Sequence, residues 1–212
     1  MSSNKIILYA TGSPLIVDFE EICMRNNIEI IAIVNNIKDG SSYAISEEKI
    51  ILIDQINIVQ DIPFICTLFS PKNRYIAVHE ALNFGLKPFN ILVDKSSDLP
   101  MYFEHKHGCF INKRVTIGST AKIGSYVTIN RGAILGHHLT VEDFVSIGPG
   151  VTSGGNVTIK EKSLIGTGAI ILPKITIGTN AIIGAGTVVT KNVPDNAVVV
   201  GNPGRIIKMN SL

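Results

Sequence analysis

Two adjacent histidines, His137 and His138, are the residues of this 212-residue sequence that are best placed to do chemistry. They are the only two of its five histidines inside a glycine-rich repetitive region, where an imidazole ring serves neither an aliphatic core nor a turn. An imidazole, with an ordinary pKa of about 6.5, can accept a proton at neutral pH from an attacking amine or hydroxyl and return it to a leaving group. The competing interpretation is a histidine on an ordinary outward-facing surface position.

The region around these histidines repeats every six residues. The series has fourteen consecutive positions without insertion; thirteen are aliphatic, and only Ser153 interrupts them. The residue that follows is very often glycine, and the residue four places on is small or β-branched. The series runs through Ile111, Ile117, Ile123, Ile129, Leu135, Val141, Ile147, Ser153, Ile159, Ile165, Ile171, Ile177, Ile183 and Val189.

This period predicts a parallel β-helix. Each hexad supplies one short strand with its aliphatic residue inward, followed by a corner where glycine or a small residue permits the turn. Three sides close a triangular coil of eighteen residues, so Ile111, Ile129 and Ile147 begin an internal ladder through roughly five coils. An α-helix would need apolar residues at 3.6 spacing, and a hairpin sheet would need irregular polar turns.

A zinc protein of the carbonic anhydrase type is an alternative for a histidine-containing β-helix, but it needs three histidines around one metal ion. Adjacent residues of a strand point to opposite faces, so we expect His137 and His138 to diverge. His105 and His107 precede the repeat. The sequence therefore predicts no metal site.

The first hundred residues alternate apolar runs with helical stretches. This order predicts a small parallel, Rossmann-like sheet with ligands bound beyond the carboxyl ends of its strands. The loop Thr11, Gly12 and Ser13 lies at such an end, although the GxGxxG fingerprint is missing. We predict strands at 5–10, 29–34, 50–54, 64–69 and 90–93, helices at 14–26 and 71–84, and domains at 1–100 and 101–212.

Charge separates the same two halves. Residues 1–100 carry 8 basic against 12 acidic side chains, whereas residues 101–212 carry 11 against 5. A basic β-helical half suits a small polyanionic ligand, or is simply a solvated surface. Nucleic acid is excluded as a partner because basic residues do not cluster and aromatic residues are few.

Cysteine usage and hydropathy predict a cytoplasmic protein. Cys23, Cys66 and Cys109 are odd in number and scattered, which fits a reducing compartment. No apolar run reaches eighteen residues, and the N-terminus lacks a signal-peptide layout, so we expect no membrane insertion.

The order of the two halves, the hexads, the segment 136–156 and the ending 193–207 resemble a known family. The chain is similar to the bacterial sugar acyltransferases that include bacillosamine and perosamine N-acetyltransferases and sialic acid O-acetyltransferases. The resemblance implies a homotrimer of left-handed β-helices, with acetyl-coenzyme A (CoA) as acyl donor in the groove between subunits. It also implies a sugar acceptor, commonly nucleotide-linked, used in making surface glycans.

The resemblance also carries residue roles. His137 matches the general base of the family, Gly155 the residue whose N–H faces the thioester oxygen, and Asn130 a position near the acceptor amine. An asparagine stacked in an internal ladder is the competing role for Asn130. Thr167 and Ala185 match residues that line the pantetheine groove, and Lys191 and Arg205 are candidate phosphate partners or solvated surface cations.

Three departures from the family stand out. An acidic residue usually follows the base histidine, whereas here the residue is His138, so His137 is a weaker base or Glu142 or Asp143 assists it through space. Ser146 stands where bacillosamine-type enzymes have a second histidine that contacts the acetyl carbonyl, and it could donate one hydrogen bond.

The third departure concerns the acceptor. The glycine and histidine turn after the first strand is reduced to the loop at 11–14, and the acidic pair after the second strand is replaced by Asn35 and Asn36. Amides bind sugar hydroxyls or an amine more weakly than carboxylates do. The acceptor is therefore predicted to differ from the usual uridine-diphosphate amino sugar. A weaker base next to His138 suits an amine better than a less acidic hydroxyl, so the sequence predicts N-acetylation. Sugar O-acetylation and a non-catalytic trimeric scaffold are the alternatives.

Overall fold

A four-stranded parallel sheet and two α-helices form the N-terminal part of the computed structural model, which describes residues 4–37, 42–59 and 61–210. The strand order is β3-β2-β1-β4. Two 3₁₀ segments, Glu47–Lys49 and Ile53–Val59, flank β3. The elements are β1 Lys5–Tyr9, α1 Ile16–Arg25, β2 Glu29–Asn35, β3 Ile50–Leu52, β4 Phe64–Cys66 and α2 Pro71–Asn83.

Local sequence explains where the two helices lie. In α1, Ile16, Phe19 and Ile22 recur on one face and are fully buried. In α2, Pro71 occupies the first turn, and the Ser70 side chain accepts a hydrogen bond from the Asn73 N–H at 3.4 Å. The predicted elements are therefore confirmed, with ends that differ by up to three residues.

The fifth predicted strand forms, but in a different sheet. Strand β5, Ile91–Val93, pairs in parallel with Cys109–Ile111 of the repeat instead of joining the N-terminal sheet. Only an isolated bridge between Phe64 and Pro88 continues the N-terminal sheet toward it. Strand β5 thus starts the stack of coils, and the boundary at residue 100 stays a prediction.

The predicted left-handed β-helix occupies the rest of the chain. Its strands form three faces, and within each face neighbouring strands run parallel. The last strand is the exception, because it pairs antiparallel with the strand before it. These strands are β6 Phe103–His105, β7 Cys109–Ile111, β8 Thr116–Ile117, β9 Ala121–Ile123, β10 Thr128–Ile129, β11 Ile134–Leu135, β12 Thr140–Val141, β13 Ser146–Ile147, β14 Thr152–Ser153, β15 Thr158–Ile159, β16 Leu164–Ile165, β17 Ile170–Ile171, β18 Thr176–Ile177, β19 Ile182–Ile183, β20 Val188–Val189, β21 Ala197–Val200 and β22 Arg205–Met209.

We name the faces and corners in chain order. The first face contains β5, β7, β10, β13, β16, β19, β21 and β22, the second β8, β11, β14, β17 and β20, and the third β6, β9, β12, β15 and β18. The first corner, for example 130–132, joins the first and second faces. The second corner includes 136–138 and 154–156, and the third includes 124–126 and 142–144.

The predicted internal ladder is confirmed. Ile129 pairs with Ile111 on one side and Ile147 on the other, and the register continues through Ile165 to Ile183. These residues and the other members of the six-residue series are buried. Burial of about 0.8 kcal/mol per methylene, repeated in each hexad, makes this column the main source of the stability of the β-helix.

The glycines that follow the aliphatic residues have a different purpose from the predicted one. A Cβ on Gly136 would lie 2.3 Å from the Gly154 carbonyl oxygen, and a Cβ on Gly118 would lie 2.4 Å from the His137 nitrogen. These glycines therefore allow the coils to stack closely. The positive φ that closes each turn falls two residues later and is adopted by many residue types, His138 (φ 55°) among them.

The N-terminal part packs against the first face and both of its corners. Phe19 of α1 stacks on Phe110 of β7 with ring centroids 3.6 Å apart. The Asp18 carboxylate contacts Arg131 and Asn112 at the first corner, and the side chain of Arg74 reaches the third. The second corner lies across the triangular coil from the N-terminal part and stays uncovered within this chain.

Candidate active site

His137 and His138 occupy the second corner, and both are exposed. Their rings are nearly perpendicular, and the two Nδ1 atoms lie 2.8 Å apart. The expectation that they would diverge is wrong, because they lie in a turn and the left-handed backbone of His138 directs its ring toward His137. One imidazole therefore donates a hydrogen bond to the other.

Gly155 lies one coil above His137 at the same corner. A Cβ on Gly155 would lie 2.4 Å from His137 Cε1 and 2.5 Å from Nε2, so the imidazole ring rests on the bare Cα. The Gly155 carbonyl accepts the Lys174 N–H, while its own N–H has no acceptor among the described residues. The structure thus brings together an exposed imidazole and a free backbone donor.

The single break in the aliphatic series lies under this corner. Ser153 is buried, and its Oγ accepts the Gly136 N–H at 3.2 Å. Gly136 directly precedes His137, so the serine fixes the start of the turn that carries the histidines. The one position where the aliphatic pattern breaks, Ser153, therefore lies directly beside the turn that carries the candidate base, His137.

Glu142 and Asp143 do not reach His137. Both lie at the third corner, where Glu142 Oε2 accepts the Glu161 N–H and Asp143 Oδ1 accepts the Ser125 N–H. Within one chain, neither carboxylate therefore supports the base through space. His138 is the side chain that contacts the His137 ring.

Asn130 belongs to a buried polar ladder at the first corner. Its Oδ1 accepts Asn112 Nδ2 and the Arg131 N–H, both at 2.8 Å, and Asn112 Nδ2 also donates to Asp18. The competing structural role is thus realised. Within one chain, Asn130 and His137 lie at different corners.

Ser146 serves the core rather than a ligand. It is fully buried, its hydroxyl donates to the Phe69 carbonyl, and its oxygen accepts a hydrogen bond from Arg74 at 2.9 Å. The predicted cofactor contact therefore has neither accessible surface nor a free hydroxyl hydrogen. Arg74, which the sequence analysis missed, explains the burial of this polar side chain.

Thr167 and Ala185 lie in successive coils at the first corner. Their N–H groups have no acceptor among the described residues. Gly148 and Gly166 lie directly below them, where a Cβ would come within 2.8 Å of the Thr167 nitrogen and 2.7 Å of the Ala185 nitrogen. The arrangement offers two outward donors about one strand spacing, ~4.8 Å, apart.

Lys191 and Arg205 line one cavity near the C-terminal end of the β-helix. Its volume is about 350 Å³, and Thr190, Asn192 and Gly204 also line it. The Arg205 guanidinium donates to the Gly204 carbonyl at 2.9 Å, and neither cation forms an ion pair within the described chain. The structure thus brings the two predicted phosphate partners into the same pocket.

Thr11, Asn35 and Asn36 share the carboxyl edge of the N-terminal sheet, because Thr11 lies just after β1 and the two asparagines lie at the end of its paired strand β2. Thr11 is buried, and its hydroxyl has no partner among the described residues. Gly12 is exposed, and Ser13 Oγ accepts the Leu15 N–H at 3.3 Å. The Ser13 side chain of the predicted substrate loop therefore stabilises the turn that leads into α1.

A carboxylate that the sequence analysis missed also reaches this edge. Glu80 Oε2 accepts hydrogen bonds from Asn36 Nδ2 at 2.7 Å and from the Tyr9 hydroxyl at 2.9 Å, while Asn35 Oδ1 accepts the Ile37 N–H. Burial and the hydrogen bond to Glu80 raise the pKa of Tyr9, which therefore stays a neutral donor. Nothing in the sequence around Glu80, in the last turn of α2, indicated this role.

The described residues contain neither a metal-binding cluster nor a membrane-spanning helix. No group of three or more His, Cys, Asp or Glu side chains there is arranged to hold a metal ion. No helix in the described segments is long and apolar enough to cross a membrane.

Comparisons with known proteins agree on the fold. A family model described as "Bacterial transferase hexapeptide (six repeats)" matches residues 156–191. A histidine variant of perosamine N-acetyltransferase from Caulobacter crescentus, in complex with CoA and GDP-perosamine, is similar with a TM-score of 0.87 and 22% identity over 96% of each chain. By sequence, no curated protein matches the chain.

Two other solved structures are similar over the same length. The acetyltransferase domain of PglB from Neisseria gonorrhoeae, in complex with acetyl coenzyme A, has a TM-score of 0.82 and 20% identity over 96% of this chain and 99% of that chain. WeeI from Acinetobacter baumannii has a TM-score of 0.79 and 24% identity over 95% and 99%. The predicted two-part fold, and its likeness to sugar acyltransferases, are confirmed.

Proposed function

We propose that this chain is an acetyl-CoA-dependent acetyltransferase that acts on the amino group of a nucleotide-linked amino sugar. The observation that carries the proposal is the second corner, where the exposed His137 imidazole rests on Gly155 beside a free backbone N–H. The similarity to perosamine N-acetyltransferase bound to CoA and GDP-perosamine supports the choice of donor and acceptor.

The proposed chemistry is a direct transfer. The neutral amine attacks the thioester carbon, a C–N bond forms, and His137 Nε2 accepts the proton that the amine loses. The Gly155 N–H donates a hydrogen bond to the negative charge that develops on the carbonyl oxygen. When the C–S bond breaks, the proton passes from His137 to the departing thiolate.

The donor is proposed to lie in the groove between two copies of the chain, where the second corner of one copy, with His137, faces the first corner of its neighbour, with Thr167 and Ala185. The N–H groups of Thr167 and Ala185 pair with amide carbonyls of the pantetheine arm, and Lys191 and Arg205 bind the phosphates. The free N–H groups and the shared cavity of the two cations support this path.

The active form is proposed to be a homotrimer. His137 lies across the coil from the N-terminal part of its own chain, so an acceptor held by Thr11, Asn35 and Asn36 would meet the histidine of another copy. On the outward second face, Ile134 is 54% exposed and Ile170 is 43% exposed. Exposed apolar side chains on one face favour burial against a partner.

Cytoplasmic localisation is part of the same proposal. The three cysteines are free and buried, as suits a protein of a reducing compartment. Burial raises the pKa of the Cys66 thiol to about 11, so this thiol is not a nucleophile at neutral pH.

The first experiment measures thiol release from acetyl-CoA with a panel of nucleotide-linked amino sugars and hydroxyl sugars. We expect turnover with an amino sugar and a loss in kcat of about 10²- to 10⁴-fold for His137→Ala, with His105→Ala as the matched control. Full activity of His137→Ala would contradict the assignment. Turnover only with hydroxyl acceptors would identify a sugar O-acetyltransferase.

Subunit mixing tests the trimer. The His137→Ala variant and a variant with both Asn35 and Asn36 replaced by Ala are expected to be poorly active alone. Co-assembled, they should regain part of the activity, because some interfaces then combine an intact N-terminal part with an intact histidine. Absence of recovery in verified mixed trimers would mean that one chain supplies both parts.

A further inference from the structure

We infer that His138 is a positioning residue that holds His137 in the tautomer with a free Nε2 and shares its positive charge during transfer. The inference rests on the proposed function for its catalytic consequence. The contact between the two histidines stands independently of that function.

The geometry limits the pair to few states. At 2.8 Å, the line between the two Nδ1 atoms accommodates one hydrogen atom, so one ring donates and the other accepts. If His137 donates, its Nε2 carries a lone pair and can serve as a base. If His138 donates, His137 carries its proton on Nε2 and cannot accept another there.

No other described side chain near the two histidines determines which ring donates the hydrogen bond. The adjacent turns of the second corner, 118–120 and 154–156, contain no charged side chain. The next turns along the corner bring one titratable residue on each side, Tyr102 and Lys174. No ion pair within the described residues involves either histidine. His138 is thus the polar side chain that selects the His137 tautomer.

The same contact explains how a chain without an acidic partner retains a usable base. When Nε2 of His137 accepts the proton of the amine, the Nδ1 hydrogen lies between two nitrogens and the charge spreads over both rings. The pair can therefore hold the one proton that the reaction releases until it passes to the thiolate.

The repeat itself supplies matched side chains for a test. Phe144 and Asn156 occupy the equivalent turn position of other coils with φ of 60° and 59°, close to the 55° of His138. His138→Phe therefore keeps a ring that this backbone tolerates but removes the acceptor. His138→Asn suits the same backbone and restores an acceptor oxygen.

The first measurement is the tautomer of His137 by long-range ¹H–¹⁵N correlation in the full-length, ¹⁵N-histidine-labelled protein near pH 8. His137→Ala and His138→Ala identify the signals. We expect His137 to be protonated on Nδ1 and His138 on Nε2. A proton on His137 Nε2, or His137 populating both tautomers equally, would overturn the inference whether or not the enzyme assignment holds.

The second measurement is kinetic. We expect His138→Phe to lower kcat about 10- to 100-fold with little change in KM for acetyl-CoA, and His138→Asn to recover most of the loss. His138→Glu should move the acidic limb of the kcat/KM profile to higher pH, because a carboxylate stabilises imidazolium more strongly. Equal activity of His138→Phe and the unmodified protein would refute the positioning role. Absence of acetyl transfer by the unmodified protein would refute the proposed function and leave the tautomer result standing.

Discussion

The second and third corners of the β-helix have the same backbone but opposite surroundings. At the third corner, the residues at the turn position with positive φ include Tyr126 and Phe144, which stack on each other under α2. At the second corner the equivalent residue is His138, and none of the described N-terminal elements covers it. One repeating turn thus serves as an interdomain contact at one corner and as a candidate active site at the other.

Among the described residues, backbone polar groups are hydrogen-bonded at the third corner but partly unpaired at the second. At the third corner the carbonyls of Tyr126 and Phe144 accept hydrogen bonds from the Arg74 guanidinium, each at 2.9 Å. At the second corner the Gly155 N–H remains free for a ligand. At a covered corner the backbone polar groups form hydrogen bonds within the fold. At an open corner they remain available to bind a ligand.

Removing Arg74 should have the largest effect on the covered corner. The side chain is almost fully buried, and Arg74→Ala would leave the carbonyls of Leu68, Phe69 and Val145 without this donor. Burial lowers the pKa of Arg74 to about 10, so it remains charged at neutral pH. We expect a loss of about 3–5 kcal/mol in the free energy of unfolding, measured by urea denaturation.

The control for Arg74 is the exposed Lys72 of the same helix. Lys72→Ala should change the free energy of unfolding by less than about 0.5 kcal/mol. Similar losses for the two variants would show that α2 is not held through the guanidinium.

Adding a methyl group to Gly155 should disturb the open corner without unfolding it. The three nearest atoms to the added Cβ all belong to the exposed His137 ring, which can rotate away. We expect Gly155→Ala to lower kcat about 10²-fold by displacing the base, with a change in stability below about 1 kcal/mol. In a His137→Ala background, the further loss in kcat should be much smaller, and an equal loss in both backgrounds would locate the effect elsewhere.

Acid should weaken the contact between α1 and the first coil. Burial alone would raise the pKa of Asp94, but hydrogen bonds from the Ser96 hydroxyl and N–H, with the Arg25 charge, hold it below the ordinary 3.8. The carboxylate therefore binds a proton less readily in the folded than in the unfolded chain. Its contribution is complete above about pH 4 and is lost as the pH falls through the folded-state pKa.

The variant Asp94→Asn tests this contribution. We expect it to cost about 1.5–3 kcal/mol of unfolding free energy at pH 7 and to flatten the decline in stability below pH 4, followed by urea denaturation at several pH values. The exposed Asp54→Asn variant is the control and should follow the original pH profile. An unchanged profile for Asp94→Asn would assign the acid sensitivity to other carboxyl groups.

The smallest effect is expected at Ser153, below the open corner. Ser153→Ala removes the acceptor of the Gly136 N–H, and we expect a loss of about 0.5–1.5 kcal/mol. The same variant should lower kcat modestly, because the turn that carries His137 starts at Gly136. A stabilised variant with unchanged kcat would mean that the serine is only a gap in the aliphatic column.

Prediction from the sequence succeeded where contacts repeat. Each hexad contacts the residues eighteen places before and after it, so the register alone placed Ile129 between Ile111 and Ile147. It failed for Ser146, because the arginine that buries this hydroxyl lies 72 residues away in a non-repeating helix. It failed also for strand β5, whose short apolar run could pair with either sheet.

The sequence by itself determined the β-helix, its aliphatic column, the small parallel sheet and the corner that carries the candidate base, because these follow from periodicity and local backbone preference. Only the tertiary structure decided that α2 covers the third corner, that Glu80 reaches Asn36, and that the His137 and His138 rings face each other. These arrangements depend on how non-repeating surfaces dock and on side-chain direction within a turn. Neither is encoded in the six-residue period.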